Sequence, residues 1–327
     1  MYLYISFLFL LLVILLIFSE NILIQEDFTF IDAKNSLVSN ESFCSFSADR
    51  DFGKYVKVKR RSEYYSKDCP LAANRFKKCL TEGYEWRKPD ECELVEISTF
   101  TRYFSNRTLI LWGDSLTEQL AGSLLCMFLD SNTRREVRTN ALNKLLRSRR
   151  YCFFVVNNIK ICFVYASDPK RHLEYVKALQ NEEALVVMNF GVHYNKEKSE
   201  KNEVALQRDM ESIIPEISKF TSRVIWRETS AQHFFTEDGS FSSEIQKGSG
   251  KSFKCKPVKN QSRGWRNDIT TPLMLNVTPY VLQMGLFTSS IPPSLHRGNN
   301  DCTHFCNPGV TDDWSRVLLN YIYTHDI

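Results

Sequence analysis

Three side chains in this sequence have the types and spacing of a nucleophile, a base and an orienting acid. Ser115 follows Gly113-Asp114, and Asp301-x-x-His304 stands near the other end of the chain. A serine hydroxyl is a weak nucleophile that needs a base within hydrogen-bond reach, itself held by a third group. Asp301 can hold one imidazole nitrogen of His304 while the other faces Ser115, which is the logic of acyl transfer through serine. Each residue also has a plainer reading: Ser115 as a helix cap, Asp301 as a turn former, His304 as a histidine packed between Cys302 and Cys306. The joint pattern is what those readings leave unexplained.

These residues need elements to carry them. The run Thr108–Trp112 is apolar and β-leaning, Gly113 permits a sharp turn, and an apolar pattern of helical period follows to Leu129. This predicts a strand, a tight turn bearing Ser115, and a helix whose start offers N–H groups to an anion. Tyr151–Val156 and Lys160–Tyr165 read as a hairpin around Asn157-Asn158, which brings Cys152 and Cys162 near each other. Ala184–Phe190 is a continuous apolar run expected to be a buried parallel strand, opening into Gly191-Val-His193. A helical pattern over Val204–Phe220, a strand at Arg223–Arg227, an apolar pattern over Leu273–Phe287 and a helix over Thr311–Tyr323, capped by Thr311, complete the series. Strand–helix alternation predicts an α/β fold: a mostly parallel sheet, helices on both faces, and a site at the carboxyl ends of the strands.

At 327 residues, with 43% hydrophobic residues, the chain can bury a large α/β core. The net charge of +4 gives no reason to expect a nucleic-acid partner. Residues 131–150 are rich in arginine and lysine and read as a solvated helix face. Met1–Phe18 is almost wholly apolar and as a helix would span about 27 Å, close to a bilayer core. No small-x-small cleavage site follows, which favours a signal anchor over a cleaved signal peptide, the alternative that would make the protein secreted. The 10 cysteines, and sequons at Asn40, Asn106, Asn260 and Asn276, agree with a secretory lumen. No cysteine–histidine spacing makes a zinc site, and no metal is expected. The expected organisation is a signal anchor at 1–18, a stem at 19–43, a cysteine-rich subdomain at 44–105 and a catalytic domain at 106–327.

Taken together, Gly113-Asp114-Ser115 and Asp301-x-x-His304 resemble the triad blocks of the SGNH (GDSL) hydrolases. More specifically, the chain resembles the PC-esterase and trichome-birefringence-like group of glycan O-acetyltransferases. The likeness runs through Asp68-Cys69-Pro70, Cys79, Tyr84-x-Trp86-Arg87-x-Pro89-x-x-Cys92-x-Leu94, Arg227-x-x-Ser230-x-x-His233-Phe234 and Asp301-Cys302-x-His304-Phe-Cys306-x-Pro308-Gly309 through Trp314. The resemblance implies Ser115 as acyl-accepting nucleophile, His304 as base and Asp301 as its partner, with acetyl passed to a glycan hydroxyl in the Golgi by way of an acetyl-serine. No bound cofactor is expected, only an acetyl donor as co-substrate, with acetyl-CoA one candidate, and the apolar N-terminal helix is the expected membrane attachment. The oxyanion hole would use the Ser115 N–H with donors from Asn189-x-Gly191-x-His193. Three positions depart from the group's pattern: His193 stands where related hydrolases carry asparagine, Glu118 where arginine is common, and Phe305 where tryptophan is usual. A secreted carbohydrate acetylesterase of the same fold and a non-catalytic glycan-binding protein are the alternative functions.

Overall fold

A computed structural model of the chain describes residues 43, 44, 46, 52–58, 83–129, 149–195, 199–241, 254–259, 263–298 and 300–327. The expected membrane helix at 1–18, the stem except its last residue, Asp68 to Cys79, most of the basic run, and the sequons at Asn40 and Asn260 lie outside these residues. Among the described residues no helix is long and apolar enough to cross a membrane.

Lys54–Lys57 (β1) and Tyr84–Arg87 (β2) pair antiparallel, and Ile97–Tyr103 (α1) leads into the main sheet. That sheet is built from Thr108–Gly113 (β3), followed by Ser115–Phe128 (α2), then Arg150–Phe154 (β4) and Lys160–Tyr165 (β5). Leu173–Leu179 (α3), Ala184–Asn189 (β6), Ser199–Ile217 (α4) and Arg223–Arg227 (β7) follow. Trp265–Leu275 (α5), Val281–Leu282 (β8) and Met284–Ser289 (α6) precede a hairpin of His296–Gly298 (β9) and Asp301–Phe305 (β10), and Val310–Thr324 (α7) closes the chain.

The six-stranded sheet has the order β4-β5-β3-β6-β7-β8, parallel throughout except for the antiparallel edge strand β4. Successive side chains of β3 point to opposite faces. Leu109 and Leu111 enter one core with Leu116, Leu120 and Leu124 of α2 and Val317 and Leu318 of α7. Ile110 and Trp112 enter the other with Leu206, Met210 and Ile213 of α4. A strand covered on both faces needs apolar residues at every position, which is why β3 and β6 read as unbroken apolar runs. Truncating a fully buried leucine such as Leu120 to alanine is expected to cost about 2–5 kcal/mol.

Several expected boundaries move. The apolar pattern at Leu273–Phe287 is not one element: Pro279 and the turn around it split it into the end of α5, β8 and α6. The last helix is capped by Gly309 rather than Thr311, and the Asp312 carboxylate accepts the Gly309 N–H at 3.2 Å. The boundary at 105/106 is not a packing boundary. Phe46, Phe52, Trp86 and Leu94 belong to the same core as α2 and α7, Phe52 stacks on Phe287 at 5.6 Å, and Trp86 Nε1 donates to the Phe52 carbonyl at 2.8 Å. Cys44–Cys92 fastens this segment, Cys152–Cys162 bridges β4 and β5 in register, and Cys255–Cys302 ties residues 254–259 to β10. Cys126 and Cys306 are disulfide-bonded as well.

Candidate active site

The chain leaves β3 for β5 on one side of the sheet and for β6 on the other, so the carboxyl end of β3 borders the crevice where the connections diverge. Ser115 stands there. Gly113 is required by close approach, since a Cβ would meet the Asn189 carbonyl oxygen and Thr117 Oγ1, both at 2.4 Å. The buried Asp114 caps α2, one carboxylate oxygen accepting the Leu116 N–H at 3.0 Å. Ser115 is then the first helical residue, and its own N–H lies outside the helix's hydrogen-bond ladder.

The β9–β10 hairpin brings the base. His304 Nε2 is 2.7 Å from Ser115 Oγ, and His304 Nδ1 is 3.0 Å and 3.1 Å from the two Asp301 oxygens. Asp301 also accepts the N–H groups of Thr303 and His304, at 3.2 Å and 3.0 Å, and Arg297 Nε donates to its second oxygen. Burial pushes the Asp301 carboxyl up, but the hydrogen bonds and charge of His304 and the charge of Arg297 outweigh it and hold the group far below the carboxylate range. An ionised Asp301 requires the proton on His304 Nδ1, which leaves Nε2 as the acceptor for the Ser115 hydroxyl. Ser115, His304 and Asp301 are therefore brought together in the order that nucleophilic catalysis needs.

Two further groups fix this hairpin, and neither was foreseen from sequence. Gln119, one helical turn below Ser115, donates Nε2–H to the Phe305 carbonyl at 2.7 Å and accepts the Phe305 N–H at 3.2 Å. The nucleophile's helix thereby grips the residue after the base. On the other side, His296 Nδ1 lies 2.9 Å from the His304 carbonyl, His296 Nε2 lies 2.7 Å from His233 Nδ1, and Phe305 stacks on the His296 ring at 4.2 Å. The i, i+4 spacing of Ser115 and Gln119 was the available signal for the first; nothing local marks the second.

The expected oxyanion residues fall at different places around Ser115. Gly113 and Asn189 are level in the parallel ladder, so Ser115 and Gly191 leave the sheet side by side. The Gly191 N–H makes no hydrogen bond among the described residues, while its carbonyl accepts Tyr194 N–H at 2.9 Å. Its φ of +148° and a virtual Cβ 2.4 Å from Thr229 Oγ1 demand glycine. Asp114 joins the two sites: its second oxygen accepts the Val192 N–H at 3.4 Å. Asn189 is not a donor to the site. Its buried amide gives to the Arg227 carbonyl at 2.9 Å and to Thr229 Oγ1 at 3.2 Å, and accepts from the Arg227 guanidinium at 2.9 Å. The His193 side chain is exposed, with Nε2 3.3 Å from the Tyr165 hydroxyl, and makes no contact with the triad. Arg266 secures this turn by donating twice to the Tyr194 carbonyl, at 2.9 Å and 2.7 Å. A polar recess lined by Thr229, Ser230, Gln232, Asp238, Arg266 and Asn267 opens beside Gly191.

Glu118 is half-buried on α2, and Phe305 is fully buried against Trp314. Asn106 and Asn276 are both exposed. Among the described residues no group of three or more metal-ligating side chains comes together.

A mostly parallel α/β sheet with Ser115, His304 and Asp301 at its strand ends, serine early and Asp-x-x-His late, has the arrangement of a serine acyl-transfer site. Comparison with known proteins finds similar chains. The chain is 22% identical to protein trichome birefringence-like 15 of Arabidopsis thaliana, over 82% of this chain and 69% of that protein. It is 23% identical to trichome birefringence-like 14 of the same plant, over 88% of each. The chain is a relative of the trichome birefringence-like proteins, the group its sequence blocks resemble. No protein-family model matches it. A lipase/acylhydrolase from Enterococcus faecalis superposes with a TM-score of 0.37 at 15% identity, over 67% of this chain and 96% of the other.

Proposed function

We propose that the protein is a lumenal O-acetyltransferase that passes acetyl to hydroxyls of a glycan through an acetyl-serine on Ser115. The observation that carries this reading is the continuous line Asp301–His304–Ser115, with both contacts at hydrogen-bond length, beside the Gly191 N–H, which makes no hydrogen bond among the described residues. Ser115 Oγ attacks the acetyl carbonyl carbon while His304 Nε2 takes its proton. The tetrahedral oxyanion is met by the N–H groups of Ser115 and Gly191. His304 returns the proton to the leaving group, and acetyl-Ser115 remains. A sugar hydroxyl then gives its proton to His304, attacks the acyl carbon, and Ser115 is reprotonated as it leaves. Asp301 stays ionised throughout and stabilises the imidazolium.

The glycan acceptor, the Golgi location, the single-pass attachment through residues 1–18 with the catalytic part in the lumen, and acetyl-CoA as donor extend this proposal from the resemblance and the leader. Full-length protein in detergent, incubated with acetyl-CoA or an acetyl ester and a panel of oligosaccharides, tests it by mass spectrometry. Ser115-dependent mass gain on an oligosaccharide is expected. Ser115-dependent acetate release without any sugar product would make it an acetylesterase, and neither product would leave only the glycan-binding alternative.

A further inference from the structure

The basic run that the sequence carries toward Arg150 reads as a solvated face, yet its described end is held at the carboxyl end of β5, the strand beside β3. Tyr165 is the last residue of β5 and lies level with Gly113 across the parallel ladder, with the Ala166 N–H donating to the Gly113 carbonyl at 2.7 Å. Tyr165 therefore stands at the same carboxyl end of the sheet from which Ser115 departs. The guanidinium carbon of Arg149 stands 4.3 Å from the Tyr165 ring centroid and that of Arg171 stands 5.7 Å from it. The Tyr165 hydroxyl meets His193 at 3.3 Å, which connects this group to the turn bearing Gly191.

Both arginines have anchored backbones and uncommitted heads. The Arg149 carbonyl accepts the Tyr165 N–H at 2.8 Å, and the Arg171 carbonyl accepts Trp112 Nε1–H at 3.1 Å. Among the described residues neither guanidinium pairs with a carboxylate; the one polar contact is a long 3.5 Å approach of Arg171 to Ser167 Oγ. The nearby Asp168 carboxylate is occupied by the backbone N–H groups of Lys170 and Arg171, each at 3.2 Å. The positive field reaches His172: burial and then the charges of Arg150 and Arg171 lower its pKa, against the opposing charge of Asp168. Two cations kept beside one aromatic ring, unpaired and facing solvent, are arranged for an oxyanion that arrives from outside. Guanidinium groups recognise carboxylate and phosphate oxygens through paired N–H donors.

We infer that Arg149, Arg171 and Tyr165 form an anion-recognition ledge that takes a carboxylate or phosphate group of a molecule bound at Ser115. The inference rests on the acyl-transfer reading for the identity of that molecule, and the same oxyanion chemistry has two sources: an acidic sugar of the acceptor, or a phosphorylated acyl donor. The polar recess on the far side of Gly191 would then face the uncharged part of the ligand.

Calorimetric titration of the full-length protein tests the ledge without requiring turnover. The probes are an oligouronide against the matching neutral oligosaccharide, and adenosine 3′,5′-bisphosphate against adenosine. At low salt at least one anion is expected to bind tenfold or more tightly than its neutral counterpart. That preference should shrink as salt rises to 0.5 M. Arg149→Gln with Arg171→Gln should weaken the anion at least tenfold, and Arg149→Lys with Arg171→Lys should recover part of it. Preference for the oligouronide assigns the anion to the acceptor, and preference for the bisphosphate to the donor. Binding of both anions no tighter than their neutral counterparts, or undiminished binding by the double glutamine variant, overturns the ledge. Acetyl transfer by the same wild-type preparation is scored separately, so a failed ledge and a failed transferase reading give different results.

Discussion

His296 and His304 sit eight residues apart on one hairpin and do opposite work. His304 has a carboxylate on one nitrogen and a hydroxyl on the other, and its side chain is 18% exposed. His296 is buried, with a backbone carbonyl on one nitrogen and the neutral His233 on the other. Imidazolium forming on His304 is met at once by the Asp301 carboxylate; imidazolium forming on His296 would have a backbone carbonyl on one nitrogen and another histidine on the other, with burial opposing the charge. The carboxylate decides which ring can shuttle a proton and which can only hold a chain in place.

The largest test of that contrast removes the carboxylate's charge. Asp301→Asn leaves a group of the same size but cannot enforce a proton on His304 Nδ1, so kcat should fall about 10⁴-fold with KM little changed. Ser115→Ala and His304→Ala should each lose at least as much, and the double variant should be scarcely worse than either. A folded Asp301→Asn enzyme retaining a tenth of its rate would show that the two histidines differ for some other reason.

A smaller effect is expected where the hairpin is gripped. Gln119 contributes two hydrogen bonds to Phe305, each worth about 0.5–1.5 kcal/mol, so Gln119→Ala should lower kcat roughly 10–100-fold if both serve to aim His304. KM should stay within about twofold, because Gln119 is bonded to the chain and not to the cleft. Gln119→Glu keeps the acceptor but sets a carboxylate against the Phe305 carbonyl, and should be no better than alanine. Equal losses in kcat and stability, with a normal rate per folded molecule, would reduce Gln119 to a packing role.

What could be read from sequence, and what could not, follows the range of each interaction. Ser115, Asp301 and His304 were legible because each sits in a local pattern: a strand-turn-helix in one case, a short Asp-x-x-His block, seen here as strand β10, in the other. The central parallel strands were legible because burial on both faces leaves an apolar run. Asn189 misled because its position at a strand end suggests a donor, whereas its partners, Arg227 and Thr229, come from the end of β7 and the turn after it. Gln119, Arg297 and His296 act through backbone groups or across the hairpin, and such contacts leave no periodic trace. The 44–105 segment looked separate because its cysteines cluster, but Phe52 and Trp86 pack on Phe287 of α6, and Phe46 lies in the same core as α7.

The smallest rate effect belongs to His296, and there stability is the sharper readout. His296 Nδ1 must carry the proton that binds the His304 carbonyl, so a neutral His296 accepts at Nε2 and His233 donates from Nδ1. The remaining His233 nitrogen is left without a proton opposite the Ser289 carbonyl, and that contact is correspondingly long at 3.4 Å. Burial, opposed by the Ser289 contact, lowers the His233 pKa to about 4; burial, reinforced by the neighbouring His233, lowers that of His296 to about 3. Both lie below the unfolded value of about 6.5, so the unfolded chain binds more protons in between. Stability is therefore full above pH 6.5 and is lost as pH falls through 4. Asp301 contributes in a different window: its depressed pKa gives stability that persists until pH falls below the ordinary carboxylate range. Between pH 6.5 and 4.5 the histidine pair should dominate, with Tm falling by at least about 5 °C. His296→Asn keeps a donor at the position of Nδ1 and removes one titrating ring. It should cost about three- to tenfold in kcat through the altered hold on His304, and flatten the slope of Tm over that interval. A slope as steep as that of the wild type would mean that the pair does not stay neutral on folding, and that burial alone does not separate His296 from His304.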